Sequence, residues 1–226
     1  MNTAIIVAAG SGRRFDAEKP KQFFELAGKP VIVHTLLAFE NCASIDEIVL
    51  VLAENEINDF RQTRTRGDFS KLKTVVAGGE TRAASVWNGI KEISPNTEIV
   101  AVHDGARPLV TPEEITRTIE KARETGAAIL VAPVTDTIKE ITGDKIIGTI
   151  ERTHLRRALT PQCFRVEILR RAFEEFKDLN ESATDESFLV EKLGVAVSIV
   201  EGSPRNIKIT VPEDLILADA LLKNRS

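Results

Sequence analysis

Short apolar runs alternate along this chain with segments whose apolar residues recur at helical spacing. The runs are typical of strands buried on both faces, and they cover residues 4–7, 48–52, 74–77, 99–102, 127–131 and 195–200. Helical spacing occurs at residues 31–39, 82–93, 111–126, 166–176, 187–193 and 212–222. The alternation predicts an α/β fold, a Rossmann-like three-layer sandwich with a mostly parallel sheet. Ligands bind such sheets beyond the carboxyl ends of the strands, so chemistry is sought in the polar residues that follow each run.

Residues 134–153 break this rhythm. Threonines and isoleucines surround a Thr142-Gly143-Asp144 turn, which predicts a β-hairpin and not another helical crossover. A hairpin inserted in an α/β domain is either a local surface flap or an arm that packs on a second subunit. We favour the arm, and with it a homodimer. The 226 residues suit one domain, 1–226, better than two.

Composition narrows the classes of function. The net charge of −4 argues against a generally basic surface that binds nucleic acid. No apolar run approaches the roughly 20 residues that span a bilayer, and residues 1–7 carry no basic leader. Two distant cysteines and three scattered histidines suggest neither a disulfide framework nor a zinc site. We therefore predict a cytoplasmic protein without nucleic-acid or membrane partners.

A glycine-rich, basic loop follows the first predicted strand. Gly10 and Gly12 would let the backbone approach a phosphate closely, and four cations, Arg14 and Lys21 among them, fall within nine residues. That charge density suits a polyphosphate. The loop lacks the GxxxxGK[ST] pattern, and Phe15 stands where a dinucleotide fingerprint needs its third glycine. The alternative is a glycine turn with a solvated basic face.

Two later segments also follow predicted strands. Asp104 is well placed to hold Mg²⁺ together with phosphate oxygens, although Asp104-Gly105 is equally typical of a turn. His103 has no partner at ligand spacing and is predicted to pack or to form hydrogen bonds. Gly78-Gly79 precedes small residues that open a helix, where a flat base and an anion would fit. Close packing of the helix on a strand explains those small residues as well.

Four segments carry little signal when each is taken singly: Arg152, Thr160-Pro161-Gln162, Thr184-Asp185-Glu186 and the stretch from Asn206 to Thr210. Thr184 or Asp185 is a helix cap, and Arg152 is a surface cation. Lys208 lies between two isoleucines on a strand-like stretch, so its side chain is predicted to point to the opposite face from theirs.

Taken together and in order, these motifs resemble the 2-C-methyl-D-erythritol 4-phosphate cytidylyltransferase family. The resemblance covers essentially the whole chain. It is carried by Ala8-Ala9-Gly10-x-Gly12-x-Arg14, Pro20-Lys21-Gln22, Gly78-Gly79-x-x-Arg82-x-x-Ser85-Val86, His103-Asp104-x-Ala106-Arg107-Pro108, Pro133-Val134-x-Asp136-Thr137, Ala158-Leu159-Thr160-Pro161-Gln162, Thr184-Asp185-Glu186, and the segment from Glu201-Gly202 through Asn206-Ile207-Lys208-x-Thr210 to Pro212-Glu213-Asp214-Leu215.

The resemblance implies transfer of a cytidylyl group from CTP to a polyol phosphate, methylerythritol phosphate, with Mg²⁺ as cofactor. The implied catalytic residues are Arg14, Lys21, Arg152 and Lys208. The implied CTP-binding residues are Ala8, Ala9, Gly10, Gly12, Gly79, Glu80, Arg82, Ala83 and Ser85. The implied substrate-binding residues are Arg107, Thr137, Arg152 and Lys208, and the implied metal ligand is Asp104. The family is dimeric, which would place Thr137 and Arg152 in the neighbouring subunit's site.

Three other functions compete with this interpretation. Ribitol-5-phosphate cytidylyltransferases share most motifs, but tend to begin Ala-Gly-Gly and to differ around residues 152–159. The segment from Asn206 to Thr210 argues against a sugar-1-phosphate nucleotidyltransferase. A silent nucleotide-binding regulatory domain is disfavoured because Lys21, Asp104 and Lys208 are all present. Arg205 is a departure, because many family members carry an acidic residue there.

Overall fold

One seven-stranded sheet organises the chain in a computed structural model that describes residues 1–10, 20–63, 69–176 and 184–224. In chain order the strands are β1 (Asn2–Val7), β2 (Glu25–Leu26), β3 (Lys29–Pro30), β4 (Glu47–Leu52), β5 (Leu72–Ala77), β6 (Ile99–Asp104), β7 (Ala127–Pro133), β8 (Ile138–Thr142), β9 (Lys145–Ile150), β10 (Arg156–Arg165) and β11 (Ser198–Glu201). The sheet has the order β11-β7-β10-β6-β1-β4-β5. Its pairs are parallel except where β10 runs antiparallel to β6 and β7.

Helices cover both faces of this sheet. They are α1 (Val31–Glu40), α2 (Ile57–Thr63), α3 (Arg82–Lys91), α4 (Pro112–Thr125), α5 (Val166–Glu175), α6 (Glu186–Lys192) and α7 (Glu213–Lys223). Alternation along β1 directs Ala4 and Ile6 to one face, where α1, α2 and α4 pack, and Ile5 to the other, where α3, α5 and α6 pack. The predicted three-layer α/β sandwich is therefore confirmed.

The helix boundaries follow local sequence signals. Thr111 caps α4 with its side chain, and Glu114 returns the bond to the Thr111 backbone, which completes a capping box ahead of Pro112. Gly126 ends the helix at a φ of 92°, a conformation that other residues adopt only with strain. The predicted start and end of this helix are both confirmed.

Strand β10 was absent from the sequence expectation. Proline and polar residues interrupt its apolar pattern, and a register irregularity falls between Ala158 and Gln162. Partners in the fold make these polar side chains tolerable: Thr160 bonds to His103, and Gln162 to Asp185. The last strand also begins later than predicted, at Ser198, and the segment around Lys208 has irregular backbone where a strand-like stretch was expected.

Residues 134–153 form the predicted hairpin. Strands β8 and β9 pair only with each other in the part of the chain that the structure describes, and Gly143 turns between them at a φ of 59°. We call β8, β9 and their turn the arm. Four of its large apolar side chains are exposed: Ile141, Ile146, Ile147 and Ile150.

Among the described residues, no helix is long and apolar enough to cross a membrane.

The order of the strands reverses at the edge of the sheet where β1 and β6 end. From β1 the chain continues to β4 and β5 on one side, and it then returns to β6 on the other side. Such a reversal of strand order opens a crevice at the carboxyl ends. Val7 lies beside Asp104 in the register, so both strands end at this crevice.

Candidate active site

A cavity of about 440 Å³ lies in this crevice. It is lined by Val7, Ala8, Ala9, Gly10, Lys21, Gln22, Gly79, Glu80, Thr81, Arg82, Ser85, Asp104, Ala106 and Lys208. Small side chains form one part of the lining, the wall around Gly79 and Ser85, and three cations and two carboxylates also line the cavity: Lys21, Arg82, Lys208, Glu80 and Asp104. The cavity can therefore accept a ligand that has a flat part and a polyanionic part.

Asp104 is the electrostatic centre of the cavity. Its Oδ1 accepts from Nε and Nη2 of Arg82, both at 3.2 Å. Its Oδ2 lies 2.9 Å from Nζ of Lys208 and 3.4 Å from Nε of Arg107. Burial by itself would raise the pKa of Asp104, but the charges of Arg82, Lys208 and Arg107 outweigh burial and hold that pKa well below its usual range. The carboxylate is ionised at any physiological pH.

Arg82 joins this cluster to a second carboxylate. Its Nη1 donates to Oε1 of Glu186, the first residue of α6. Burial would lower the pKa of Arg82, yet Glu186 and Asp104 together raise it. The guanidinium stays charged between two acids that come from different elements of the fold.

Arg107 ties the cavity floor to the segment that carries Lys208. Besides its contact with Asp104, it donates from Nη1 to the Asn206 carbonyl at 2.8 Å. The backbone N–H of Ile209 donates to the Ala106 carbonyl at 2.9 Å. These bonds explain how a segment of irregular backbone places Lys208 accurately. Its flanking residue Ile209 is buried, as the predicted alternation requires.

His103 and Thr160 brace the other side of Asp104. The Thr160 hydroxyl accepts from the Asp104 backbone N–H at 3.2 Å and lies 2.9 Å from Nδ1 of His103. Burial lowers the pKa of His103 to about 3, so this ring is neutral. The prediction that His103 packs and forms hydrogen bonds is confirmed.

The wall of small residues depends on close backbone approach. The Thr81 hydroxyl caps α3, accepting from Ala84 N at 3.0 Å. The Ser85 hydroxyl donates to the Thr81 carbonyl and accepts from the Gly79 N–H. A Cβ at Gly78 would lie 2.3 Å from Cβ of Ala9, and one at Gly79 would lie 2.5 Å from Cβ of Ala84. The small residues therefore serve close packing, which is one of the two interpretations offered from the sequence. With no large side chains there, a planar group can also lie against this wall.

Gln22 anchors the residues around Lys21. It is buried in a short 3₁₀ turn, Lys21–Phe23, and its Nε2 donates to the Ala8 carbonyl at 2.7 Å and to Oε2 of Glu56 at 3.0 Å. Burial raises the pKa of Glu56, and the bond from Gln22 only partly offsets the effect. The turn that presents Lys21 is thereby fixed to the end of β1.

The structure brings most of the predicted site residues into this cavity. They are Ala8, Ala9, Gly10, Lys21, Gly79, Glu80, Arg82, Ser85, Asp104 and Lys208. Ala83 and Arg107 are buried beside the cavity and do not line it. Thr137 and Arg152 lie apart, in an open depression on the arm. Gly12 and Arg14 fall outside the described residues.

Sequence reasoning gave no role to three residues that hold the site together, Gln22, Thr160 and Glu186. Each stands in a quoted motif, but the contact that explains it joins residues far apart in sequence: 14 positions for Gln22 and Ala8, and 104 for Arg82 and Glu186. No local sequence pattern around these residues indicates their partners.

The sheet is mostly parallel, and small residues, converging cations and the buried carboxylate of Asp104 meet at its reversal point. This is the arrangement of an α/β nucleotidyltransferase. The family model for 2-C-methyl-D-erythritol 4-phosphate cytidylyltransferase matches residues 2–224, and the chain belongs to this family.

Relatives that carry this name match along nearly their whole length. The protein of Bacillus velezensis is 45% identical over 98% of this chain and 96% of its own, and that of Alkaliphilus metalliredigens is 44% identical over 99% and 93%. Among solved structures, the 4-diphosphocytidyl-2C-methyl-D-erythritol synthase of Anaerococcus prevotii superposes with a TM-score of 0.84 at 32% identity, covering 99% of this chain and 96% of that one. The Thermus thermophilus 2-C-methyl-D-erythritol 4-phosphate cytidylyltransferase gives 0.80 at 32% identity, covering 97% and 98%.

Proposed function

We propose that this chain transfers the cytidylyl group of CTP to the phosphate of 2-C-methyl-D-erythritol 4-phosphate, in isoprenoid biosynthesis. The products are 4-diphosphocytidyl-2-C-methyl-D-erythritol and pyrophosphate. Family membership supports this reaction. The structural observation that carries it is the convergence of Lys21, Arg82 and Lys208 on one cavity that also has a flat wall of small residues.

The reaction joins two anions. A phosphate oxygen of the acceptor attacks the α-phosphorus of CTP, and the new P–O bond forms as the bond to the β-phosphate oxygen breaks and pyrophosphate leaves. The attacking oxygen is already ionised at pH 7, so no general base is needed. Catalysis then consists of holding the reactants in line and neutralising their charge.

Each part of the cavity suits one part of this task. The wall from Gly79 to Ser85 accommodates the cytidine, and Arg82 faces the triphosphate from the same loop. Lys21 neutralises charge at the α-phosphate, a role shared with Arg14. Lys208 lies beside Asp104 in the same cavity and holds the acceptor phosphate.

A divalent cation, Mg²⁺, is part of the proposal. No group of three His, Cys, Asp or Glu side chains suited to a metal occurs among the described residues. The fit is nevertheless adequate, because Mg²⁺ on a nucleotide needs only one or two carboxylates besides phosphate oxygens and water, and Asp104 supplies an ionised one. When bound, the ion would neutralise the triphosphate. Asp104 would hold it after parting from Lys208, whose side chain is 38% exposed.

The arm is proposed to complete the site of a second copy of the chain. Four isoleucines are exposed on it, and an apolar surface of that kind marks an interface. Thr137 and Arg152 lie at its base, with the Arg152 guanidinium donating to the Thr135 carbonyl. In the homodimer these two residues would reach the acceptor phosphate in the neighbour's cavity. The cytoplasmic location and the single-domain organisation stay predictions.

The test is pyrophosphate release with CTP and Mg²⁺, with methylerythritol phosphate and ribitol 5-phosphate supplied in parallel. Release with the first substrate alone is expected. Release with ribitol 5-phosphate alone would assign the chain to the other polyol-phosphate branch and leave the CTP site standing. No release with either would reject the proposal.

A further inference from the structure

Two carboxylates from different elements hold the guanidinium of Arg82. Asp104, at the end of β6, accepts from Nε and Nη2, and Glu186, at the start of α6, accepts from Nη1. Within the part of the chain that the structure describes, these are the only acceptors of the Arg82 side chain. The fork geometry of a guanidinium makes this two-sided grip possible, and it leaves N–H groups directed elsewhere for a ligand.

Glu186 is almost completely buried, although it does not line the cavity. It is 1% exposed, and its Oε2 is buried without a hydrogen-bond partner among the described residues. Burying a carboxylate with one oxygen unsatisfied costs stability. Such a cost has to be offset by something that Glu186 does for Arg82.

Capping of α6 does not explain Glu186. Asp185 already accepts from the Phe188 N–H at 3.1 Å and from the Ser187 hydroxyl at 3.0 Å, so the helix has its cap. Gln162 accepts from the Ser187 N–H at 3.0 Å and fastens the same turn to β10. The Glu186 side chain is therefore available for Arg82 alone.

We propose that Glu186 is a positioning residue for the nucleotide site, which keeps Arg82 in place while Asp104 changes partners. The inference rests on the proposed function, in which Asp104 parts from Lys208 to hold Mg²⁺. A carboxylate that turns towards the ion would also loosen its bonds to Arg82, which would then lose one of its two anchors. Glu186 belongs to another element and touches neither Lys208 nor Arg107, so its hold on Nη1 continues and the guanidinium stays aimed at the triphosphate.

The test compares two substitutions, one that shortens the Glu186 side chain and one that removes its charge. Glu186→Asp keeps the charge but withdraws the carboxylate by one methylene, whereas Glu186→Gln keeps an acceptor oxygen at full reach. We expect Glu186→Asp to raise both the Kd of CTP, measured by calorimetry with Mg²⁺, and the KM of CTP by about tenfold, with kcat changed much less. Glu186→Gln should stay within about threefold of the unsubstituted protein in the Kd of CTP.

A control and a double-variant cycle exclude a merely structural role. Glu114 is equally buried and accepts backbone N–H groups from Thr111 and Ser203, but it does not line the cavity. Glu114→Asp should lower the melting temperature and leave the Kd of CTP unchanged. In an Arg82→Lys background, where the side chain cannot span both acids, Glu186→Asp should add less than about twofold.

Three results would overturn the inference: a change below about threefold in Glu186→Asp, a loss in Glu186→Gln as large as or larger than in Glu186→Asp, or an undiminished effect in the Arg82→Lys background. Calorimetric binding of CTP needs no acceptor substrate. A chain that binds CTP but releases no pyrophosphate would therefore reject the proposed reaction and still decide the role of Glu186.

Discussion

Nζ of Lys208 lies 2.9 Å from Oδ2 of Asp104, across the floor of the cavity. The cation proposed to hold the acceptor phosphate is thus paired with the carboxylate proposed to hold the metal. The two proposed ligands, a phosphate for Lys208 and Mg²⁺ for Asp104, carry the charges that compete with this pairing. The pairing also keeps Lys208 on the cavity floor, where an acceptor phosphate would enter.

Replacing Lys208 tests its proposed contact with the acceptor phosphate. We expect Lys208→Ala to raise the KM of methylerythritol phosphate by about tenfold or more, because a charge-assisted contact to the phosphate is lost, and to change the KM of CTP by less than about threefold. Steady-state kinetics with each substrate varied in turn measure both constants. Lys121→Ala removes a surface lysine of α4 outside the cavity and serves as the control. Weakened CTP binding alone would refute the assignment of Lys208.

Lys21 is assigned to charge on the α-phosphate in the transition state. Lys21→Ala should fold normally and lose about 10²–10³-fold in kcat, which corresponds to roughly 2–4 kcal/mol of the barrier. Arg14→Ala is expected to behave alike. Lys29→Ala, at an exposed position in the same segment, should keep full turnover. Near-normal rates in the Lys21 and Arg14 variants would exclude these roles.

Asp104 is proposed to hold Mg²⁺, so its substitution should change the dependence of turnover on the Mg²⁺ concentration. We expect Asp104→Asn to shift the Mg²⁺ concentration for half-maximal turnover upward by about tenfold or more, since the single protein carboxylate for the ion is lost. Removal of Mg²⁺ by a chelator should stop turnover in the unsubstituted protein, and added Mg²⁺ should restore it. Asp219→Asn, on the surface of α7, is the matched control. An unchanged Mg²⁺ titration in Asp104→Asn would remove this aspartate from the metal site.

The shared site can be tested by mixing two defective variants. Lys21→Ala damages a subunit's own cavity, and Arg152→Ala damages the arm that it offers to its neighbour. After subunit exchange, each mixed dimer has one intact site, so about a quarter of normal activity should return. Ile146→Glu in both variants should abolish this recovery and give monomers in analytical ultracentrifugation. A mixture that stays as inactive as its components would show that the arm does not complete a neighbour's site.

Glu56 makes the stability of the protein depend on pH. Burial raises its pKa in the folded state, so the folded protein holds this proton more tightly than the unfolded chain does, and stability is lost as the pH rises through the folded pKa. Glu56→Gln removes the charge but still offers an oxygen to Gln22. We therefore compare the melting temperature of Glu56→Gln with that of the unsubstituted protein at each pH. The variant's value minus the unsubstituted value should be larger at about pH 7 than at about pH 4. Exposed Glu54→Gln should show no such trend, and a flat difference for Glu56→Gln would contradict the prediction.

The parts that sequence predicted well are those fixed by local rules. Continuous apolar runs located the parallel strands, helical spacing located their helices, and Thr111 and Gly126 marked the ends of α4. The glycine loop and Asp104 were found because ligands gather where parallel strands end. Position in a known topology, and not any property of Asp104 itself, made that prediction possible.

What sequence missed depends on contacts between distant residues. Strand β10 contains Thr160, Pro161 and Gln162, and nothing local indicates that His103 and Asp185 will satisfy two of them. Lys208 was expected on a strand, but bonds from Arg107 to Asn206 and from Ile209 to Ala106 fix it instead. Pairings across a hundred positions, such as Arg82 with Glu186, leave no pattern in one sequence.

The bonds that join residues 206–209 to Ala106 and Arg107 can form only after residues 206–209 have been synthesised. A ribosome has made every strand of the sheet before it adds Lys208. At that stage the acidic centre of the cavity has only part of its counter-charge, and the core cluster around Leu26 still lacks Ile209 and Ala218. Closure of contacts so far apart in sequence is slow compared with local folding. Competence to bind both substrates is therefore acquired only after every strand of the sheet has been synthesised.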